Sequence, residues 1–276
     1  QNEKIILDTD TKLQLIEKSI DAGVKRIEVT SFVNPSRVPQ MYDSSELVER
    51  LPRGAARYIG LALNQRGYTR AVESGIDEVN FVIVASDSFN MRNQGAKTAD
   101  TLALWSEIAQ DAEGKADVGL TIGAAFGCPF EGEVPIRRVL EIIDTAMENP
   151  PFELSIADTI GVATPADVSR VVNAIKAEHP DLRLRLHLHN TRNTGIANAW
   201  AAIEAGVKYL DSSMGGAGGC PFAPRATGNI ATEDLVYMLQ RSGIDTGLDL
   251  DSCIGTAQWL ENKLQHQLPS MVMKAG

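Results

Sequence analysis

Arg183-Leu184-Arg185-Leu186-His187-Leu188-His189 is the stretch from which the fold of this chain can be read. Its apolar and polar residues alternate with the period of a β-strand, so Leu184, Leu186 and Leu188 share one face and His187 and His189 the other. A helical pattern precedes it over 165–178, and another follows over 193–205 and closes at Gly206. The next strand, 207–213, runs into the glycine-rich Gly215-Gly216-Ala217-Gly218-Gly219-Cys220-Pro221 and then Gly228-Asn229.

Outward from this unit the same alternation continues. Helices are predicted over 9–22, 44–51, 66–74, 99–113, 135–147 and 232–241, and strands over 26–32, 58–63, 78–85, 118–125 and 152–157. Residues 86–95 read as a polar loop, and about 250–267 as an amphipathic, peripheral helical region packed on the outside. Seven strands alternating with helices at these spacings suit right-handed βαβ units. The fold class expected is α/β, a TIM (β/α)8 barrel formed as one domain over 1–276. Such a barrel closes with eight strands, so the first strand is expected upstream of Gln1; an open doubly wound sheet is the alternative.

Composition narrows the function classes. The 276 residues are 43% hydrophobic and 22% charged, and 26 basic against 36 acidic side chains leave a net charge of -10. That balance argues against nucleic acid or an anionic membrane as the main partner, while a small anionic molecule stays compatible with a few focused cations. No apolar run reaches the roughly 18 residues of a membrane span. Cys128, Cys220 and Cys253 are odd in number and widely spaced, which suits reduced thiols better than disulfides. A cytoplasmic setting is expected, with the mitochondrial matrix as the alternative if a targeting segment preceded Gln1.

Function in a barrel gathers at the strand C-termini. The polar residues expected there are Glu28, Thr30, Ser86, Asp87, Cys128, Asp158, Thr159, His187, His189, Cys220 and Asn229. His187 and His189, joined by an oxygen donor such as Asn229, form a set for a divalent cation; two hydrogen-bonded polar side chains near a strand end is the competing reading. Mixed nitrogen and oxygen ligands suit Mg²⁺ or Mn²⁺ better than structural zinc. Cys220 is either an acid or base on a mobile loop or a small apolar filler. Cys128 reads as packing, Cys253 as inert, and His179 and His266 as solvent-facing. Asp158 is an N-cap or a polar anchor in the mouth, and Glu233 and Asp234 cap a helix.

On these residues the chain resembles the 3-hydroxy-3-methylglutaryl-CoA lyase family of metal-dependent aldolase-type barrels. The resemblance runs through Gln1-Asn2-Glu3-Lys4, Glu28-Val29-Thr30-Ser31-Phe32-Val33, Gly127-Cys128-Pro129, Asp158-Thr159-Ile160-Gly161, Gly218-Gly219-Cys220-Pro221 and Gly228-Asn229, and is strongest over 231–239. It implies a metal on His187, His189 and Asn229, catalytic roles for Cys220, His187, Glu28 and Asp158, and substrate contacts from Thr30, Thr159 and Arg192. The implied reaction splits a branched 3-hydroxyacyl-CoA into acetyl-CoA and an oxo acid, acetoacetate for the hydroxymethylglutaryl thioester. His187 or a metal-bound water would act as base and Cys220 would return a proton.

Two departures accompany the resemblance. The family's Arg-Asp pair falls just before the position of Gln1, so a chain without it is expected to bind metal poorly. Asn190-Thr191-Arg192-Asn193 stands where the lyases carry Asp-Thr-Tyr-Gly, which leaves the acyl group open and offers Arg192 to an extra carboxylate. A Claisen-type synthase on the same barrel and a catalytically silent binding barrel are the alternatives, and a homodimer is a possible assembly.

Overall fold

The computed structural model describes residue 1, residues 3–219 and residues 228–276. Seven parallel strands follow one another in both sequence and space: β1 Arg26–Ser31, β2 Arg57–Ala62, β3 Glu78–Val84, β4 Asp117–Gly123, β5 Leu154–Asp158, β6 Leu184–Leu188 and β7 Tyr209–Asp211. The helices are α1 Thr9–Asp21, α2 Ser44–Glu49, α3 Gln65–Glu73, α4 Asp87–Gln94, α5 Thr98–Asp111, α6 Ile136–Ala146, α7 Pro165–Glu178, α8 Gly195–Glu204, α9 Thr232–Arg241, α10 Leu250–Leu264 and α11 Val272–Ala275. This is an α/β arrangement in which the sheet curls into most of a barrel.

Strand β3 shows why. All seven of its residues are buried, because helices cover one face and the barrel interior the other. Val79, Phe81 and Ile83 face outward into a core they share with Trp105, Ile108 and Ile143, while Asn80, Val82 and Val84 line the interior. The two-residue period thus sends large apolar side chains to the helix layer and leaves one polar side chain, Asn80, with two valines inside. Among the described residues no strand lies between β1 and β7, so both are edges of the sheet.

Two expectations change. Residues 87–94 form helix α4 instead of a loop: Asn90, fully buried, accepts from the Val84 N–H and donates to Thr101 Oγ1, and Gly95 ends the helix at φ 80°. Side-chain hydrogen bonds hold this turn where apolar periodicity is missing. Helix α10 is also less peripheral than expected, since Cys253, Ala257, Leu260 and Leu264 are buried beside Ala22 and Met214. Burial pushes the Cys253 thiol up to about 11, which fits an inert packing role.

Candidate active site

A cavity of about 750 Å³ fills the interior of the curled sheet, and His187, His189 and Asn229 are among the residues that line it. Strand β6 contributes Arg185, His187 and His189 to its wall, one pleat apart. The two imidazoles converge, with His187 Nε2 and His189 Nε2 3.2 Å apart and the rings 5.2 Å between centroids. Burial, with the neighbouring His187, pushes His189 down to about 3, so its ring is neutral and carries a lone pair. Its Nδ1 is buried without a hydrogen-bond partner among the described residues.

Asn229 arrives from a distant part of the chain through a backbone bridge to His189. Its Nδ2 donates to the Ala217 carbonyl at 2.9 Å, so Oδ1 is the atom it has to offer a cation. The backbone around it is closely tied: Asn190 N–H donates to the Gly228 carbonyl, and Gly228 N–H to that of Gly218. Gly215 begins this segment at φ 66°, where a Cβ would fall 2.3 Å from Leu268, so a side chain is excluded on both conformational and steric grounds. The Cys220 assignment lies outside the described residues.

These donors fit a hard divalent ion. Two neutral imidazole nitrogens about 3 Å apart match two ligands each ~2.1 Å from one ion at roughly a right angle, and an amide oxygen completes a mixed set. Another group, Asp144, Glu178 and His179, brings its ligand atoms within 4.8 Å of one another among the described residues. It sits at the C-terminal ends of α6 and α7, on the face opposite the cavity mouth, and His179 is paired with Asp144 at 3.0 Å.

The other expected site residues separate into two groups. Glu28, Thr30 and Thr159 line the cavity. Burial pushes the Glu28 carboxyl up, against the pull of Arg185 and of a 2.8 Å hydrogen bond from Asn80 Nδ2. Thr30 donates to Ser44 Oγ, and Thr159 Oγ1 accepts from the Ala124 N–H, so both hydroxyls also hold the rim together.

Asp158 and Arg192 are placed differently. On β5, Ala157 and Thr159 face inward, so the two-residue period turns Asp158 away from the cavity. Its carboxylate accepts from the Val162 and Ala163 N–H groups, which is the anchoring reading, and burial raises its pKa despite those bonds. Arg192 Nη1 donates to the Ile160 and Gly161 carbonyls and fixes the same turn. His187 also changes: with Nδ1 3.2 Å from Asp211 Oδ2 and Nε2 facing His189, a cation on Nε2 leaves the ring no free nitrogen to act as base.

Sequence reasoning passed over Arg185, Asp211 and Asn80. Arg185 shares its parity with the two histidines, a signal that was available; Asp211 closes a strand too short to show periodicity.

Residues 1–260 match the HMGL-like family model. The chain belongs to the HMGL-like family of carbon–carbon lyases. It is 44% identical to (R)-citramalyl-CoA lyase of Chloroflexus aurantiacus, over all of this chain and 91% of that protein. It is 38% identical to a hydroxymethylglutaryl-CoA lyase of Bacillus subtilis, over 98% of this chain and 91% of that protein. Among solved structures, an HMG-CoA lyase from Acinetobacter baumannii in complex with coenzyme A and 3-methylmalate superimposes with a TM-score of 0.96 at 39% identity, covering all of this chain and 91% of that one. Family membership supports the barrel expected from the strand count over an open doubly wound sheet.

Proposed function

We propose that this protein is a divalent-metal lyase that cleaves a branched 3-hydroxyacyl-CoA into acetyl-CoA and an oxo acid. The observation that carries the reading is the convergence of His187 and His189 beside Asn229 on the wall of the barrel cavity, in a chain of a lyase family. Mg²⁺ or Mn²⁺ held there would polarise the substrate's hydroxyl and carboxylate oxygens and offset charge as it develops.

The substrate's tertiary hydroxyl loses its proton to a base, the bond between the carbinol carbon and the thioester α-carbon breaks, and the electron pair passes to the thioester enolate. Protonation at carbon then gives acetyl-CoA. His187 and His189 bring their Nε2 atoms to one point. Glu28, accessible to the cavity and shifted upward by desolvation, is a cavity carboxyl suited to moving a proton; Asn80 Nδ2 donates to it at 2.8 Å, and the Thr121 hydroxyl in turn holds Asn80 by donating to its Oδ1 at 2.8 Å. Cys220 keeps the proton-return role as part of the same proposal.

The acyl group separates two versions of this reading. Hydroxymethylglutaryl-CoA would release acetoacetate, and citramalyl-CoA, whose carboxylate sits directly on the carbinol carbon, would release pyruvate. The 44% identity to a citramalyl-CoA lyase favours testing the second beside the first. The proposal includes an eighth strand, upstream of Gln1, seated between the edges of β1 and β7, and a reducing cytoplasmic setting, supported by the free thiols Cys128 and Cys253.

The assay supplies each thioester with Mn²⁺ to the intact protein and identifies the oxo acid released. Turnover of one thioester, abolished by EDTA and lowered at least ~10³-fold in His189→Ala, is expected. Thiol release that requires an added 2-oxo acid would replace the lyase by the synthase, and silence toward both thioesters would sink the proposal.

A further inference from the structure

We infer that Asp211 is a positioning residue that fixes which nitrogen His187 offers to a cation. The inference rests on the metal-lyase reading above and adds to it a residue outside the ligand set. In the register of the sheet, His187 on β6 lies opposite Asp211 on β7, so the backbone itself brings the two side chains together. The contact is 3.2 Å, from His187 Nδ1 to Asp211 Oδ2.

A carboxylate can only accept, so this contact requires the proton on Nδ1. In the neutral ring the lone pair is then on Nε2, the atom that faces His189 Nε2. Asp211 is itself held from the next pleat down. Arg185 Nη1 lies 3.0 Å from both of its oxygens, and Arg185 Nε lies 2.8 Å from Glu153 Oε1. The chain of contacts therefore runs from Glu153 through Arg185 and Asp211 to His187, along one inward face.

His189 provides the contrast. Its Nδ1 is buried with no hydrogen-bond partner among the described residues, and none of their carboxylates selects its tautomer. Only one of the two converging rings has its proton assigned by a protein group. Asp211→Asn keeps the shape of the side chain but can present N–H to Nδ1, which moves the ring proton to Nε2 and blocks the ligand atom. Second-shell partners of this kind typically contribute about 10- to 100-fold to metal affinity.

The experiment compares the intact wild-type protein with Asp211→Asn, Asp211→Glu and His187→Ala, by ¹⁵N spectra of the neutral His187 ring in the presence of EDTA and by Mn²⁺ titration. Expected are the Nδ1–H tautomer in wild type, a shift toward Nε2–H in Asp211→Asn, Mn²⁺ affinity about 10- to 100-fold weaker in that variant, and partial recovery in Asp211→Glu. A wild-type Nε2–H tautomer overturns the inference, and so does Asp211→Asn with an unchanged spectrum and unchanged Mn²⁺ affinity. If Asp211→Asn fails to fold, the wild-type spectrum decides. If wild type binds Mn²⁺ no better than His187→Ala, the metal reading fails while the tautomer still judges Asp211.

Discussion

The two ends of this sheet follow opposite rules of charge. At the strand N-termini Arg26, Arg57 and Arg183 meet Glu78, Asp117 and Glu153: Arg26 pairs with both Glu78 and Glu153, Arg57 with Glu78 and Asp117, and Arg183 with Glu153. At the C-termini two imidazole nitrogens face each other and a buried Nδ1 has no partner. Charge at the first end is matched within the protein, whereas the second end aims donors at a point that no described protein group fills. In barrels generally the first end serves stability and the second chemistry, and the proposed function follows that division.

The largest expected effect tests the first end. Glu153, only 1% exposed, is approached by Arg26 at 2.8 Å, Arg183 at 2.9 Å and Arg185 at 2.8 Å. Glu153→Gln removes the shared anion and leaves three guanidinium groups to Glu78 and Asp211. Breaking a buried pair in this way costs about 3–5 kcal/mol. Urea unfolding at pH 7 should show that loss. A loss under about 1 kcal/mol would mean that this end is held by packing and not by charge.

Much of this contrast was legible in the sequence, and the illegible part has a physical cause. The alternation of leucines with His187 and His189 set both the strand and the side on which the imidazoles converge. Parity served equally well on β5, where it turns Asp158 outward; a list of strand-end residues assembled without parity placed Asp158 in the site. Helix α4 escaped because Asn90 is buried through hydrogen bonds, which leave no apolar period to read. Asp211 escaped because three residues of β7 carry too little pattern, and its partner is set by sheet register, a long-range property. The burial of α10 against Ala22 and Met214 was not legible either, since an amphipathic pattern does not say how deeply its apolar face is covered.

The second end can be tested through acid. His189 in the folded protein stays neutral down to about 3, whereas the unfolded ring takes a proton near its ordinary 6.5. Between those values the unfolded state binds more protons, so stability falls as pH drops through this window. From pH 7 to pH 5 the loss attributable to His189 is about 2 kcal/mol. Chemical unfolding of the EDTA-treated protein at the two pH values should show that drop, and His189→Gln should show a correspondingly smaller one. An equal drop in the variant would mean that the ring protonates in place, so this end is not as dry as its geometry implies.

The smallest effect asks whether the catalytic face also carries ordinary stabilising devices that do nothing for the chemistry. Thr164 caps α7 at this face: its N–H donates to Asp167 Oδ2 at 3.0 Å, and its hydroxyl donates to the same oxygen at 2.7 Å while accepting from the Asp167 N–H. Neither side chain lines the cavity. Thr164→Ala is therefore expected to cost about 1 kcal/mol in thermal or urea unfolding, the usual worth of such a cap, and to leave kcat/KM within about twofold. Thr164 follows directly on Ala163, whose N–H is held by Asp158, so the cap and the Asp158 turn share a backbone. If kcat/KM fell tenfold while stability barely moved, the turn would have to transmit strain to Thr159 on the cavity wall. The division of labour between the two ends would then hold for the charges but not for the loops.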